Sequence, residues 1–491
     1  MSGVLGRVTR ASIVSGCLVA VTGCHAVGPT YQRPTAPMAA NWETPQPWRP
    51  SEPKDGIPKG EWWTIFHDDD LNAFEAQAVG ANQTLAAAAA RYEQARALAS
   101  QALAAAYPQL TFDPAIERQQ LSGTRPGLTS PEASLTQNAF TLPFTMSYEV
   151  DLFGGRRRSI EAATASLQAS AGDLENARLV IAAELAADYF SLHQLDNELS
   201  ILTRTVESLT RGLAVVRARR DGGAASGLDV AQEETLLRGT ETEATLTRRD
   251  RDALEHAIAD LLGQPAPEFH VAPRPLSAEP PAIDIALPSD LLERRPDIAA
   301  AERTMAQANA QIGVAMSAYF PSLNVFVAGG WQTTAITSIF GAANTLWAIG
   351  ASAAQTIFNG GATTAQVKFA QAGYTLAVAD YRESVLTALR EVQDAISSLR
   401  VLAEARSSQA QAVAAAQRAV DIATVRYQGG LTNYLDVVAA QQTLLTAERL
   451  LAQIQGEQLV SSVTLVKALG GGWDAASLAA IKARRATGAS K

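Results

Sequence analysis

An internal repeat is the feature that most constrains the fold of this chain. Three motifs recur at offsets of 205 to 213 residues: Pro108-Gln109-Leu110 as Pro321-Ser322-Leu323, Leu152-Phe153-Gly154-Gly155 as Ile357-Phe358-Asn359-Gly360-Gly361, and Gly227-Leu228-Asp229-Val230 as Tyr434-Leu435-Asp436-Val437. Because the offsets differ by only a few residues, the repeat indicates duplication of one structural unit whose loops differ in length. We expect two units, 61–263 and 291–473, joined by the Pro-rich linker 264–290 and followed by a disordered tail, 474–491.

Each unit shows a pattern in the order helix, strand, strand, helix, helix. Residues 71–106 are rich in Ala and Gln and lack proline, which predicts a helix. Strands are predicted at about 109–119 and 140–150 in the first unit and at about 322–332 and 346–356 in the second. Between 140 and 150 apolar and polar residues alternate, so each hairpin is expected to have one apolar and one polar face.

The third element of each unit is a long helix with a heptad pattern. In the first unit the apolar positions step by three and four: Leu192, Leu195, Leu199, Leu202, Val206, Leu209, Leu213 and Val216. Such a seam is typical of paired helices whose leucines form the core. The pairs Gly222-Gly223 and Gly429-Gly430 are predicted to end the long helices, and shorter helices return over 228–262 and 435–469. A helix over 156–221 would span about 100 Å, so the two shorter helices are expected to stack end to end beside it.

The strand count predicts association in a membrane. A bilayer does not tolerate open strand edges, and four strands cannot close a barrel. Two copies would supply eight strands and three copies twelve. Eight strands leave an interior filled by side chains, whereas twelve leave a passage.

The N-terminus reads as an export signal, residues 1–23, with Arg7 and Arg10 before an apolar stretch. The sequence Val-Thr-Gly before Cys24 resembles the lipobox of bacterial lipoproteins, which implies an N-acyl (palmitate) and S-diacylglycerol lipid on Cys24. Cys17 fits the same pattern but leaves an apolar region that is too short. A generic secretory signal is the alternative. His25 replaces the Asp that commonly marks inner-membrane retention, so the outer membrane is expected. Residues 24–60 are expected to be an extended, Pro-rich leader rather than a packed element.

Four motifs, in order along nearly the whole mature chain, resemble TolC-like outer-membrane factors of the lipoprotein, NodT type. They are the segment 24–34; Trp62-Trp63 with Phe66, Asp70 and Leu71; Leu291-Leu292-Glu293-Arg294-Arg295-Pro296-Asp297-Ile298 with Ala301-Glu302-Arg303; and the segment 426–437. The resemblance implies a homotrimer in which a twelve-strand transmembrane β-barrel continues into a twelve-helix periplasmic α-barrel, a mixed membrane fold built as a coiled coil.

The resemblance also implies a function and partners. The trimer would be the passive outer-membrane duct of a tripartite efflux system for drugs or other small molecules, surrounded by outer-membrane lipid. A periplasmic adaptor protein would link it to an inner-membrane pump of the resistance-nodulation-division (RND) class. Two alternatives remain open: the exit duct of a type I protein secretion system, and a lipid-anchored coiled-coil scaffold without a pore.

The turns between the long and returning helices are the predicted functional site, because in the family they contact the adaptor and close the channel. The contact residues implied are Gly222, Gly223, Gly227, Leu228, Asp229, Gly429, Gly430, Leu431 and Thr432. The gate candidates are Arg426, Tyr434 and Asp436. Asp229 and Asp436 could instead cap the returning helices. This chain has Ala439 where relatives often carry a further acid. Around Arg295 and Asp297, capping and salt bridges at the junction of the units are favoured over a basic binding patch.

Charge and motif content exclude other function classes. The net charge of −9 disfavours a nucleic-acid partner. The five histidines match no zinc spacing, and no Gly-rich stretch is followed by the Lys-Ser or Lys-Thr of a phosphate-binding loop. We therefore expect no enzyme, no metal and no cofactor other than the lipid on Cys24.

Overall fold

The computed structural model describes residues 26–37, 61–124, 133–276, 278–283 and 294–471. The predicted signal segment, Cys24, most of the leader and the predicted tail 474–491 lie outside this part of the chain, as do residues 284–293 of the linker and junction.

The elements follow the predicted order in both units. The first unit contains α1 (Asp69–Ala81), α2 (Gln83–Ala104), β1 (Gln109–Phe112), β2 (Ala115–Leu121), β3 (Leu135–Val150), α3 (Gly155–Asp221) and α4 (Gly227–Leu261). The second contains α5 (Pro296–Ser317), β4 (Ser322–Thr333), β5 (Thr345–Ala354), α6 (Ala362–Gln428) and α7 (Tyr434–Ala468). Short 3-10 turns occupy Trp62–Phe66, Ala266–Glu268, Ile336–Ser338 and Ala342–Asn344.

The prediction of one helix over 71–106 is wrong, because the structure divides it at Asn82. The Asn82 backbone is extended, and its Oδ1 accepts a hydrogen bond from the Leu85 amide (3.0 Å). This is an N-cap that starts α2. The Asn82 Nδ2 donates to the Leu261 carbonyl at the end of α4 (2.9 Å). The break therefore lies where two short helices meet.

The two long helices, α3 and α6, have 67 residues each and extend about 100 Å. Both α2 and α4 pack on α3, while α5 and α7 pack on α6. In the first unit the short helices meet at Asn82 and Leu261, and in the second the Arg295 guanidinium reaches the Ala468 carbonyl (3.2 Å). These contacts confirm the predicted end-to-end stacking of two short helices beside each long one.

The heptad positions of α3 form a core. Leu192, Leu202 and Leu209 are at most 1% exposed, and Leu213 and Val216 are also buried. They pack against α4 and α7, so the predicted core role of this seam is confirmed.

One antiparallel sheet contains all the strands of the described residues, in the order β1 and β2, then β3, β4 and β5. The predicted strand 109–119 is wrong as a single element, because Asp113-Pro114 separates β1 from β2. Proline has no N–H for the ladder, which explains the interruption. Both strands pair with β3 in one continuous register, from Gln109 opposite Ser147 to Leu121 opposite Leu135. β3 is 16 residues long and begins five residues before the predicted start.

The sheet has the predicted apolar face, and its other face is polar along the first hairpin but mixed along β4 and β5. Directly paired residues share a face, and one face carries Leu110 opposite Met146, Phe112 opposite Phe144, Met146 opposite Val327, and Val327 opposite Ile349. The rings of Phe112 and Phe144 stack at 4.5 Å. The opposite face carries the polar Thr145, Ser147 and Glu149 of β3. Their partners in β4 are Ala328, Phe326 and Asn324. Large apolar side chains on the first face are strongly exposed in the single chain, including Ile116 (73%) and Trp347 (78%).

The junction of the two units contains the buried Arg295. Its guanidinium forms ion pairs with Asp297 (2.6 Å) and with Glu391 of α6 (2.7 Å). The predicted salt-bridge role is confirmed for this residue. Helix capping here is different from the prediction, because Arg295 occupies the N-cap position of α5 without a side-chain cap and Pro296 follows as the first helical residue.

Residues 26–37 of the leader are extended but also packed, which corrects the expectation of an unpacked segment for this part. The Val27 amide donates to the Phe153 carbonyl (2.9 Å), and the Arg158 guanidinium donates to the carbonyls of Val27 and Gly28. Further along, the Tyr31 hydroxyl reaches Glu302 (3.0 Å). Residues 26–37 thus follow the helices, starting where β3 ends and α3 begins.

Among the helices of the described part, none contains a stretch long and apolar enough to span a membrane.

Candidate functional site at the helix-turn tips

Each long helix is connected to its returning helix by a single turn, and the two turns have the same geometry. After α3, the Gly223 amide donates to the Arg220 carbonyl (2.9 Å) and the Ala224 amide to the Arg219 carbonyl (2.7 Å). This pair of bonds is a Schellman motif, which requires a left-handed residue. Gly223 supplies it with a φ of +75°.

The turn after α6 repeats this motif. The Gly430 amide donates to the Tyr427 carbonyl (3.0 Å), the Leu431 amide donates to the Arg426 carbonyl (2.9 Å), and Gly430 has a φ of +71°. The preceding glycines, Gly222 and Gly429, have negative φ values of −82° and −78°. Only the second glycine of each pair therefore needs the conformational freedom of glycine.

Capping of the returning helices involves residues that precede the two predicted aspartates. Ser226 caps α4: its hydroxyl accepts from the Asp229 amide (3.1 Å), and Asp229 Oδ2 accepts from the Ser226 amide (3.0 Å). Asp229 thus completes a capping box. In α7 the cap is Asn433, and Asp436 instead accepts a hydrogen bond from the Thr432 hydroxyl.

A small core lies next to the turns and joins the two helical hairpins, α3–α4 and α6–α7. The rings of Tyr427 and Tyr434 are 4.8 Å apart, and the Arg219 guanidinium lies over the Tyr427 ring at 4.7 Å. Leu213 and Val230 belong to the same cluster. Burial raises the pKa of Tyr434, and the neighbouring Glu233 carboxyl raises it further, so the hydroxyl keeps its proton.

The three gate candidates have different environments. Arg426 and Asp436 are exposed at the turn after α6, whereas Tyr434 is 4% exposed and packs in the core between the hairpins. Among the predicted contact residues, all five glycines are exposed, and Asp229 and Thr432 are half-buried. Leu228 and Leu431 present large apolar side chains to solvent at 65% and 73% exposure.

Three residues of this site were not among the residues predicted from the sequence: Arg219, Tyr427 and Glu233. Arg219 and Tyr427 are recognisable only after the two hairpins are placed together. Glu233 could have been found, because Val230, Glu233, Leu237 and Thr240 step by three and four along α4 and place an acid in the heptad seam.

A groove separates the two returning helices above the turns. It has a volume of about 480 Å³ and extends from Leu228 at the tip to Arg449, between α4 and α7. Its lining includes Gly239, Val438 and Leu445, so its wall is partly apolar.

In a comparison with known proteins, one family model matches both units of the chain. The family model "Outer membrane efflux protein" matches residues 76–264 and 287–471. The chain is 32% identical to the toluene efflux pump outer membrane protein TtgF of Pseudomonas putida over 471 residues, which covers 93% of this chain and 95% of the relative. It is 31% identical to the pyoverdine export outer membrane protein OpmQ of Pseudomonas aeruginosa, covering 94% and 96%. The solved structure of the outer-membrane channel OprN superimposes with a TM-score of 0.83 at 29% identity, covering 91% of this chain and all of that one.

Proposed function

Because the chain belongs to the outer membrane efflux protein family, we propose that it forms the trimeric exit duct of a tripartite efflux system. The chain is an outer-membrane component of an efflux system, and the family and its matched relatives are transport proteins. The oligomeric state, the partners, the lipid anchor and the substrates are the proposed parts.

The sheet is the main structural support for a trimer. Within the described residues, β1–β2 and β5 each have a strand partner on one side only, and one face of the sheet is apolar. A bilayer accepts such a sheet only when its edges are paired. Counting β1 and β2 as one interrupted strand, each copy supplies four strands, so three copies supply twelve and enclose a passage. The polar face, with Thr145, Ser147 and Glu149, would line it.

The long helices support the same assembly. Phe369 and Leu376 of α6 lie seven residues apart, on one side of the helix, and are 74% and 63% exposed. Leu98 of α2 is also exposed. Apolar side chains of this size, repeated along one side of a helix, mark a protein interface. We assign that interface to the neighbouring copies, whose helices would close the tunnel below the barrel.

The tips are the proposed contact for a periplasmic adaptor protein, which would connect the duct to an inner-membrane RND pump. Leu228 and Leu431 offer exposed apolar contacts at the turns, and the groove between α4 and α7 gives a helical partner a place to pack. The duct itself would be passive, with the energy supplied by the pump. By analogy with relatives named for toluene efflux and pyoverdine export, the cargo would be small organic molecules.

Lipidation of Cys24 is proposed as an additional anchor. Ala26 and Val27 of the leader contact Gly154 and Phe153, which lie between β3 and α3. Cys24 lies two residues earlier in the chain, a reach of at most about 7 Å. A lipid on Cys24 would therefore lie close to the end of the sheet that continues into the helices, at the periplasmic surface of the membrane.

The test is conductance of the purified, full-length protein in planar lipid bilayers, together with its mass in detergent. The proposal expects a trimer that forms ion-conducting pores. A well-folded protein that remains monomeric, or a trimer that never conducts, would instead favour a scaffold without a pore.

A further inference from the structure

Glu233 is a fully buried carboxylic acid near the tip of the helical hairpins. It is 0% exposed and lies between Val230 and Leu237 in the buried seam of α4. Glutamate is almost never fully buried unless it is paired. Neither oxygen of this carboxyl has a well-formed hydrogen bond within the described part of the chain.

The carboxyl lies at the contact between the two hairpins. On one side it faces Gly212 of α3, where an added Cβ would lie 2.4 Å from Glu233 Oε1 and 3.6 Å from the Tyr434 hydroxyl. The Tyr434 hydroxyl of α7 lies beside the same carboxyl. A glycine inside a helix costs about 0.5–1 kcal/mol relative to alanine, and this close approach explains why Gly212 is present.

Two arginines of α3 near the tip are engaged with other groups. On α3, Arg217 is 3.5 Å from Glu234, and the guanidinium of Arg219 lies over the ring of Tyr427 from α6. Burial and the Tyr434 hydroxyl are the influences that set the pKa of Glu233.

The remaining ionisable neighbours do not favour its charged form strongly. On α4 itself, Asp229 is held in the capping box with Ser226. On α7 the neighbour is Tyr434, whose hydroxyl lowers the pKa of Glu233 less than burial raises it. The pKa of Glu233 is therefore raised, and the packed tip favours the protonated carboxyl.

The second unit forms the same hairpin without this acid. Asp229 and Asp436 occupy equivalent positions, so the equivalent of Glu233 is Ala440. Since α7 starts and packs normally with alanine there, the hairpin does not need a carboxyl to fold. The carboxyl of Glu233 therefore has its role at the contact between the two hairpins rather than in the folding of its own hairpin.

We propose that Glu233 is a proton-dependent latch of the periplasmic tip. With its proton, the side chain remains between Gly212 and Tyr434 and the two hairpins stay packed, so the channel is closed. Without it, the carboxylate is drawn toward water, the contact separates and the tip opens. This inference rests on the proposed function, in which the tips end a conducting channel.

The direction of the pH dependence follows from linkage. The packed tip binds the proton of Glu233 more tightly than the open tip, so acid favours the closed state. As the pH rises above the ordinary glutamate value of 4.5, the closed-to-open ratio falls, by up to tenfold per pH unit and per copy, until the pKa of the packed carboxyl is reached.

The test is single-channel recording of the full-length trimer, with the pH on the tip side varied from about 5 to 8. The wild type should open more often as the pH rises. Glu233→Gln has the same shape without an ionisable proton, and it should remain mostly closed with a flat pH profile. Glu234→Gln, on the next residue and in an exposed ion pair, is the matched control and should behave as the wild type.

The possible results distinguish a failure of the Glu233 latch from a failure of the proposed channel. A wild type whose opening does not depend on pH, or a Glu233→Gln channel with the wild-type profile, would overturn the latch and leave the duct intact. If Glu233→Gln does not assemble, Gly212→Ala is the second test: its Cβ displaces the carboxyl and should raise opening at every pH, and unchanged opening would overturn the latch. Absence of conductance in both the wild type and Gly212→Ala would contradict the proposed duct.

Discussion

Replacing Arg295 with alanine should loosen the joint between the two stacked helices of the second unit. Arg295 is 7% exposed and makes charged hydrogen bonds to Asp297 (2.6 and 3.0 Å) and Glu391 (2.7 Å). It also donates to the carbonyl of Ala468 near the end of α7 (3.2 Å). The substitution removes all of these bonds and leaves two carboxylates and a carbonyl without their donor.

The size of the effect follows from the exposure of the partners. A hydrogen bond to a charged group contributes about 1.5–3 kcal/mol, and breaking a fully buried ion pair costs about 3–5 kcal/mol. The side chains of Asp297 and Glu391 are 29% and 35% exposed, so water can partly solvate them after the substitution. We therefore expect a loss of about 2–3 kcal/mol in the free energy of unfolding, below the value for a fully buried pair.

Thermal unfolding of the detergent-solubilised protein measures this loss, and tryptophan fluorescence reports it locally because Trp62 packs near Gly471, at the end of α7. Arg390→Ala is the control. Arg390 lies on α6 next to Glu391, but its pair with Asp394 is 67% exposed and 3.5 Å long, and should contribute at most about 0.5 kcal/mol. Equal unfolding temperatures for the two variants would refute the reasoning. The unfolding temperature of Arg295→Lys should lie between those of the two alanine variants. Lysine keeps the positive charge but lacks the planar guanidinium that can form two parallel hydrogen bonds.

Three further predictions, two of them with matched control variants, concern the tips and the anchor. Gly223→Ala should lower the free energy of unfolding by about 1–2 kcal/mol because alanine disfavours φ > 0, whereas Gly222→Ala, at negative φ, should be tolerated; equal melting temperatures would contradict the turn geometry. Asp436→Ala should raise closed-state conductance if Asp436 links the closed tip. Asp229→Ala breaks a capping box and should chiefly lower the free energy of unfolding, by about 1 kcal/mol. An unchanged closed state in Asp436→Ala would count against gating by this residue. Cys24→Ser should lose acylation, seen by mass spectrometry, and keep channel activity in correctly localised protein; complete loss of activity would show that the lipid is required.

Periodicity predicted the elements that repeat a local pattern. The heptad seam of α3 and the alternation in β3 are set by which residues face the core or one side of the sheet, so the sequence contains them directly. The two interruptions were missed although each carries a local signal. Asn82 is a favourable N-cap inside an Ala-rich stretch, and Pro114 lacks an N–H for the strand ladder.

Contacts between distant segments could not be predicted in this way. Arg251 of α4 forms a buried ion pair with Asp196 of α3 at 2.7 Å, and the Arg274 amide in the linker donates to the same carboxylate. These partners are 55 and 78 residues apart in sequence, and no periodic pattern relates them. The packing of the leader on Arg158 is similar, since only the folded helices bring these residues together.

The two units solve one physical problem with different residues, which shows what the duplication conserves. Wherever two short helices meet end to end, one helix presents free carbonyls and the other free N–H groups. In the first unit the Asn82 side chain serves both ends, accepting from the Leu85 amide and donating to the Leu261 carbonyl. In the second unit Arg295 donates to the Ala468 carbonyl and pairs with Asp297, while Pro296 removes one N–H that would need a partner. The repeated unit therefore preserves the positions of the joints rather than the residues that close them, which explains why the turn motifs recur in the sequence and the joints do not.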